Sequence, residues 1–139
     1  IEVAAHGSEF YVVSSGLLTV VAFSRSNPAR RLRSTQPLPF TPDNVHRGPD
    51  GRLYTGGMAN DVPECGGVPG PEHDLPRLAS CPRGSMGASI DARTFRHEII
   101  VDTPRVAEFS NATMVLPVGQ QVWMGTFSGD RIAYVPLRR

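Results

Sequence analysis

One hairpin outline recurs three times in this chain, and an internal repeat restricts the fold more than any single residue can. Its fullest copy is Phe40-Thr41-Pro42-Asp43-Asn44-Val45, a reversal at Pro49-Asp50-Gly51, and a second apolar run from Leu53-Tyr54. Pro presets the turn, Asp bonds its own backbone, and Gly accepts the left-handed conformation, so the triplet reads as a hairpin. The outline returns in Ile1-Glu2-Val3-Ala4-Ala5-His6-Gly7 before Phe10-Tyr11-Val12-Val13. It returns again in Ser110-Asn111-Ala112-Thr113-Met114-Val115, which turns at Gly119 into Val122-Trp123-Met124-Gly125. Aligned on the turn glycines, Tyr11, Tyr54 and Trp123 fall together to within one residue, four, three and four positions on.

The turn glycines stand at 7, 51 and 119, spacings near or beyond the roughly 40–50 residues of a propeller blade. Between them lie short β-branched runs with no helical period, such as Leu17 to Phe23, and a polar, proline-bounded run from Arg31 to Pro37 that suits an outer edge. The pattern predicts an all-β fold, a partial β-propeller of about three four-stranded antiparallel blades. The expected limits are about 1–40, 41–104 and 105–139, the last blade lacking its outer strand. Residues 58–86 break the second blade with a Gly- and Pro-rich insertion expected to rise over the channel mouth as a lid.

The chain opens at Ile1 without an initiator Met, inside what reads as a strand, so a C-terminal portion of a longer protein is expected. No window approaches 18 apolar residues, so no membrane-spanning segment is expected. The 14 basic residues are all Arg, balanced to a net charge of +1 and scattered along the chain. That distribution argues against nucleic acid as a partner, and Arg30-Arg31-Leu32-Arg33 reads as the solvated face of an outer strand. The four His share no paired spacing, which excludes a zinc motif, and Gly56-Gly57 and Gly66-Gly67 lack the strand-loop-helix context of a phosphate loop.

Pro42-Asp43-Asn44 with Pro49-Asp50-Gly51-Arg52-Leu53-Tyr54, and Ala112-Thr113-Met114-Val115 leading to Trp123-Met124-Gly125-Thr126-Phe127-Ser128-Gly129-Asp130-Arg131-Ile132, resemble the last two blades of the calcium-dependent six-bladed propellers. That group includes the paraoxonase and arylesterase lactonases, the gluconolactonase and senescence-marker-protein group, and the strictosidine-synthase-like proteins. The resemblance covers the chain outside the insertion and implies three blades of a six-bladed ring. It implies calcium, or another divalent metal, held by Asp43 and Asn44, with Asp43 also a candidate base that activates water. Ile1-Glu2-Val3 resembles the family's residues just after an Asn-Gly pair in the preceding blade. The family's N-terminal Glu ligand and the His of paraoxonases fall outside this sequence. The cysteine-bearing insertion departs from the family pattern.

Calcium takes six to eight hard oxygen ligands, and a propeller supplies them from inner strands pointing at its axis. Asp43 and Asn44 fit that need, although Asp after Pro42 equally caps a turn. Ser110 and Asn111 occupy a comparable register and are candidates to line the pocket, with a hydrogen bond to a loop as the competing role for Asn111. Asn111 also heads an Asn-Ala-Thr sequon, too buried on an inner strand to be glycosylated. His46, two residues past Asn44, is expected between blades at the pocket. His73 is a weaker catalytic candidate reaching over the mouth. Cys65 and Cys81, alone in one insertion, suggest a disulfide clamp and an exported or periplasmic protein; free thiols in the cytoplasm are the alternative.

These features leave two main functions open. One is a calcium-dependent hydrolase of lactones or aryl esters, with a small-molecule substrate. The other is a non-catalytic propeller used as a binding scaffold; a strictosidine-synthase-like activity is a third reading. In each, the chain is expected to be inactive alone, its partner being the missing blades of its parent chain or a second copy.

Overall fold

Each repeat folds into an antiparallel sheet whose strands follow one another in chain order, as expected when short turns join runs of period two. The computed structural model describes residues 1–4, 7–60, 62–65 and 80–137. His6, His73 and most of the lid expected over the mouth lie outside the described residues. The first sheet contains β1 (Glu2–Val3), β2 (Glu9–Ser14), β3 (Thr19–Ser24) and β4 (Arg31–Ser34). The second contains β5 (Phe40–Arg47), β6 (Leu53–Ala59), β7 (Ser85–Ile90) and β8 (His97–Thr103). The third has three strands, β9 (Ala112–Val118), β10 (Gln121–Thr126) and β11 (Ala133–Pro136). The fold is all-β, three blade-like sheets that do not close into a barrel, which is the architecture of a partial propeller.

The hairpin turns follow their residues. Gly51 and Gly119 sit at φ +79° and +62°, where a Cβ would be strained. Asp50 Oδ1 accepts the Arg52 N–H at 3.1 Å, and Tyr54 Oη donates to Asp50 Oδ2 at 2.7 Å, tying the turn to the strand it launches.

Several boundaries shift for local reasons. Residues 15–17 form a 3-10 turn followed by Leu18 at φ +56°, so the third strand starts at Thr19 rather than Leu17. Asn111 at φ +54° interrupts the extended chain, and β9 begins just after it rather than at Phe109. The strand pairing of Met58 with Ser85 and Gly57 with Met86 leaves 60–84 as the connecting segment, against the expected 58–86.

Two cores join the sheets. Tyr11, Val20 and Ala22 of the first sheet meet Phe40, Val45, Leu53, Ala88 and Ile90 of the second. On its other face the second sheet offers Tyr54 and Val101 to Ala112, Val115, Val122 and Met124 of the third. Fully burying each such Val, Leu or Phe contributes roughly 1.5–3 kcal/mol. The second interface is close. A Cβ on Gly56 would lie 2.5 Å from the Met114 carbonyl carbon, and one on Gly87 would lie 2.6 Å from Val115 Cγ1. β9 can therefore lie directly over β6 and β7 because both strands lack a side chain where it crosses.

Candidate functional site

Pro42 has no N–H to give the ladder, and the pairing breaks beside it. Pro42 faces Gly57 while Asn44 faces Gly56, so Asp43 is the extra residue of a β-bulge. The bulge shows in the packing: Phe40 and Val45 lie an odd number of residues apart yet share one core. The bulge lifts Asp43 out of the ladder next to Asn44, and both are exposed. The surrounding protein still takes enough water from the Asp43 carboxyl to push its pKa above the usual carboxylate value. Ser15 Oγ donates to the Pro42 carbonyl at 2.7 Å, so the first sheet holds the base of the bulge. Thr41 donates its hydroxyl to Asn60 Oδ1 on the far side.

His46, two residues on, is half-buried opposite Tyr54. Burial, followed by the Asp50 hydrogen bond, pushes the Tyr54 phenol up to about 12.

Asn111 sits at the head of β9 but turns away from open solvent. It is 1% exposed. Its Oδ1 accepts the Arg83 N–H at 2.7 Å, and its amide donates to Cys81 O at 3.2 Å and Ser128 Oγ at 2.9 Å. With both amide hydrogens engaged, the side chain staples the end of the connecting segment to the third sheet. Ser110, Asn111, Ser80, Pro82, Phe127 and Ser128 line an open depression of about 360 Å³; Asp43, Asn44 and His46 are not in its wall.

Cys65 and Cys81 form a disulfide with Cα atoms 5.6 Å apart, inside the usual range. Beside it lies a residue that the sequence pattern did not single out. Arg83 is 0% exposed, donates to Ala59 O at 3.3 Å and Cys65 O at 3.0 Å, and burial lowers its pKa. Arg83 and Asn111 thus hold the backbone at both ends of the disulfide. A buried Arg in a Gly- and Pro-rich stretch gives no periodic signal, since its partners are carbonyls distant in sequence.

In the basic cluster at β4, Arg30 and Arg31 are exposed as expected, and Arg33 departs from expectation. Arg33 pairs with Glu9 and lies 5.3 Å over the Phe95 ring, so it is part of an interface instead of a solvated face. Phe95 in turn packs on Tyr11, which Arg47 covers at 5.5 Å while donating to its hydroxyl at 3.0 Å.

No protein-family model and no curated protein matches this chain. Among the described residues no three His, Cys, Asp or Glu side chains gather as a metal-binding group, and no helix is long and apolar enough to cross a membrane. The Asp43 bulge offers hard oxygen: one carboxylate and one amide carbonyl on adjacent accessible residues. That donor type suits calcium or magnesium rather than zinc or copper. A bound cation would also offset the desolvation that raises the Asp43 pKa.

Proposed function

We propose that this chain serves a calcium-dependent hydrolase of lactones or aryl esters, with Asp43 and Asn44 as its metal-binding corner. The single observation behind this reading is the bulge that presents the two side chains together, on a strand otherwise committed to pairing and packing. When bound, calcium would polarise the substrate carbonyl and favour the charge that develops on its oxygen. Asp43 would accept a proton from the attacking water. Asn44 would orient by donating its amide hydrogens or offering its carbonyl. The disulfide agrees with an exported protein, where oxidised cysteine pairs persist.

Calcium titration by calorimetry, paired with Asp43→Ala, tests the reading. The variant should lose at least about 10-fold in calcium affinity, or about 1.4 kcal/mol, with unfolding unchanged. Equal affinity in both proteins would remove Asp43 from the metal. In an intact parent protein, lactone turnover that survived a chelator would remove the metal mechanism. A non-catalytic binding propeller is the second reading, supported by the exposed aromatic face around Trp123 and Tyr134, and it predicts no calcium heat.

A further inference from the structure

The arginines are scattered along the sequence, but many of them gather at one end of the fold. Antiparallel pairing in chain order brings the β1–β2, β3–β4, β5–β6 and β7–β8 turns of the first two sheets to that end. The Arg25 N–H bonds Ser8 O at 3.0 Å across the first sheet, and Arg47 of the second covers Tyr11 of the first. Arg25 and Arg30 flank the β3–β4 turn, Arg31 opens β4, and Arg93 and Arg96 stand in the β7–β8 turn. All of these are exposed, and among the described residues none of them forms an ion pair. Most carboxylates at this end are engaged by their own sheet. Asp50 accepts the Arg52 N–H and the Tyr54 hydroxyl, Asp91 Oδ1 accepts the N–H groups of Arg93 and Thr94 at 2.9 and 2.7 Å, and Glu9 pairs with Arg33. Glu98 adds one further exposed carboxylate.

The other end carries the opposite sign. Asp43, Glu64, Asp102, Glu108 and Asp130 are exposed there. Its exposed arginines, Arg105 and Arg131, lie 3.1 Å from Glu64 and 3.6 Å from Asp130. The sheets stack face to face, so a neighbouring sheet on either side would cover a face and leave the basic turns open.

A depression crosses the basic end between the first two sheets. Arg33 lies 5.3 Å over the Phe95 ring, which sets β4 beside the β7–β8 turn. Phe95 takes φ +59°, rare for a bulky residue, and its N–H bonds Asp91 O at 2.8 Å, so the turn is closed on itself. Ser34 and Gln36 of the first sheet and Thr94, Phe95, Arg96 and His97 of the second line an open space of about 310 Å³. Its wall offers hydroxyl, carboxamide, imidazole and guanidinium groups. The turns at this end expose no large apolar side chain among the described residues, so they hold nothing to insert into a bilayer or to stack on nucleic-acid bases. Charge combined with uncharged hydrogen-bonding groups suits a polymer that carries both anions and hydroxyls.

We infer that this end binds an acidic polysaccharide, a sugar chain bearing carboxylate or sulfate groups, with Arg31, Arg93 and Arg96 on its charges and Ser34, Gln36 and Thr94 on its hydroxyls. A guanidinium meets two oxygens of such an anion at once, which an ammonium cannot do. The inference does not depend on calcium or on hydrolysis, since Asp43 and Asn44 lie at the other end.

Binding of the purified chain is measured against alginate, a polymer of uronic acids, and dextran sulfate, with neutral dextran, double-stranded DNA and phosphatidylglycerol vesicles compared at the same salt concentration. One or both acidic glycans should bind, more weakly as salt rises, and neutral dextran should not. Which glycan binds tells carboxylate from sulfate. Arg31→Gln combined with Arg96→Gln should weaken binding by at least about 10-fold. Arg105→Gln combined with Arg131→Gln removes the same charge from the other end and should leave affinity within about twofold. Gln36→Ala changes no charge and should still weaken binding. If circular dichroism shows the first pair misfolded, Arg30→Gln with Arg93→Gln, both in exposed turns, carries the same expectation. Failure to bind either acidic glycan would overturn the proposal, as would equal losses from the two arginine pairs, the mark of diffuse attraction. Tighter binding to DNA or to the vesicles would assign the basic end to a different polyanion, and indifference to Gln36→Ala would remove the depression from the site and the sugar reading with it.

Discussion

Asn111→Ala should be among the most damaging substitutions of a polar residue in this protein, and the structure lets its cost be built up. Removing the amide leaves the Arg83 N–H, on a residue fully shielded from water, without its 2.7 Å acceptor. An unsatisfied buried donor costs about 1–3 kcal/mol. The Cys81 carbonyl and Ser128 hydroxyl lie closer to solvent and are more readily compensated by water. Ala must also hold φ near +54°, which Asn tolerates and Ala does not, for about 1 kcal/mol more. The sum is about 2–4 kcal/mol, a large share of the roughly 5–15 kcal/mol typical of a domain. Asn111→Gly loses the same hydrogen bonds but accepts the backbone conformation, so it should be milder than Ala by about 1 kcal/mol. Urea unfolding of the oxidised protein, followed by Trp123 emission and circular dichroism, measures both. If Ala lies within about 0.5 kcal/mol of the parent, the range of an ordinary surface change, Asn111 does not staple these segments together. If Gly is worse than Ala, the backbone part of the reasoning fails.

Reduction of Cys65–Cys81, or Cys65→Ser with Cys81→Ser, should lower stability by roughly 3 kcal/mol by the loop-closure estimate for a separation of 16 residues; an unchanged urea midpoint would show that Arg83 and Asn111 hold this region without the bridge. Gly56→Ala should cost about 1–3 kcal/mol by pushing the Met114 backbone, and Gly87→Ala a similar amount, because both methyls and the Cβ of the buried, β-branched Val115 crowd the position and no rotation clears them; small effects from both in thermal unfolding would contradict the close sheet contact. Asp43→Asn should leave stability equal or slightly higher near neutral pH. A carboxyl with a raised folded pKa binds its proton more tightly when folded, so its contribution worsens as pH rises from 3.8 through the folded value; a stability loss in the Asn variant at pH 7 would show an unrecognised partner for the carboxylate. Tyr54 runs in the same direction at the alkaline end. Its phenol is favoured neutral in the fold, so that stability is whole below 10 and lost as pH rises toward about 12, and Tyr54→Phe should flatten that limb of the pH–stability curve.

Much of the architecture is written in neighbouring residues. Period-two runs, the Pro49-Asp50-Gly51 reversal and the recurrence of one aromatic per hairpin are local chemistry, and they determined the sheets, their strand order and the missing outer strand of the third. The pairing of Cys65 with Cys81 followed from their isolation together. Three features were decided only in three dimensions. The bulge at Asp43 depends on which residue of β6 Pro42 must face, and no property of Pro42-Asp43-Asn44 alone distinguishes it from a capped turn. Asn111 reads as a candidate ligand from its register, yet its amide goes to Arg83, Cys81 and Ser128, all distant in sequence. Arg33 reads as a solvent-facing charge until Glu9 and Phe95 are brought beside it, and Arg83 carries no signal at all until the carbonyls of Ala59 and Cys65 are. Local sequence determines how a strand and a turn form because those energies belong to adjacent residues. Which side chains meet across sheets depends on how closely the sheets approach, and here that distance is set by Gly56 and Gly87 on neighbouring strands of the second sheet, against the Met114 backbone and the Val115 side chain of β9.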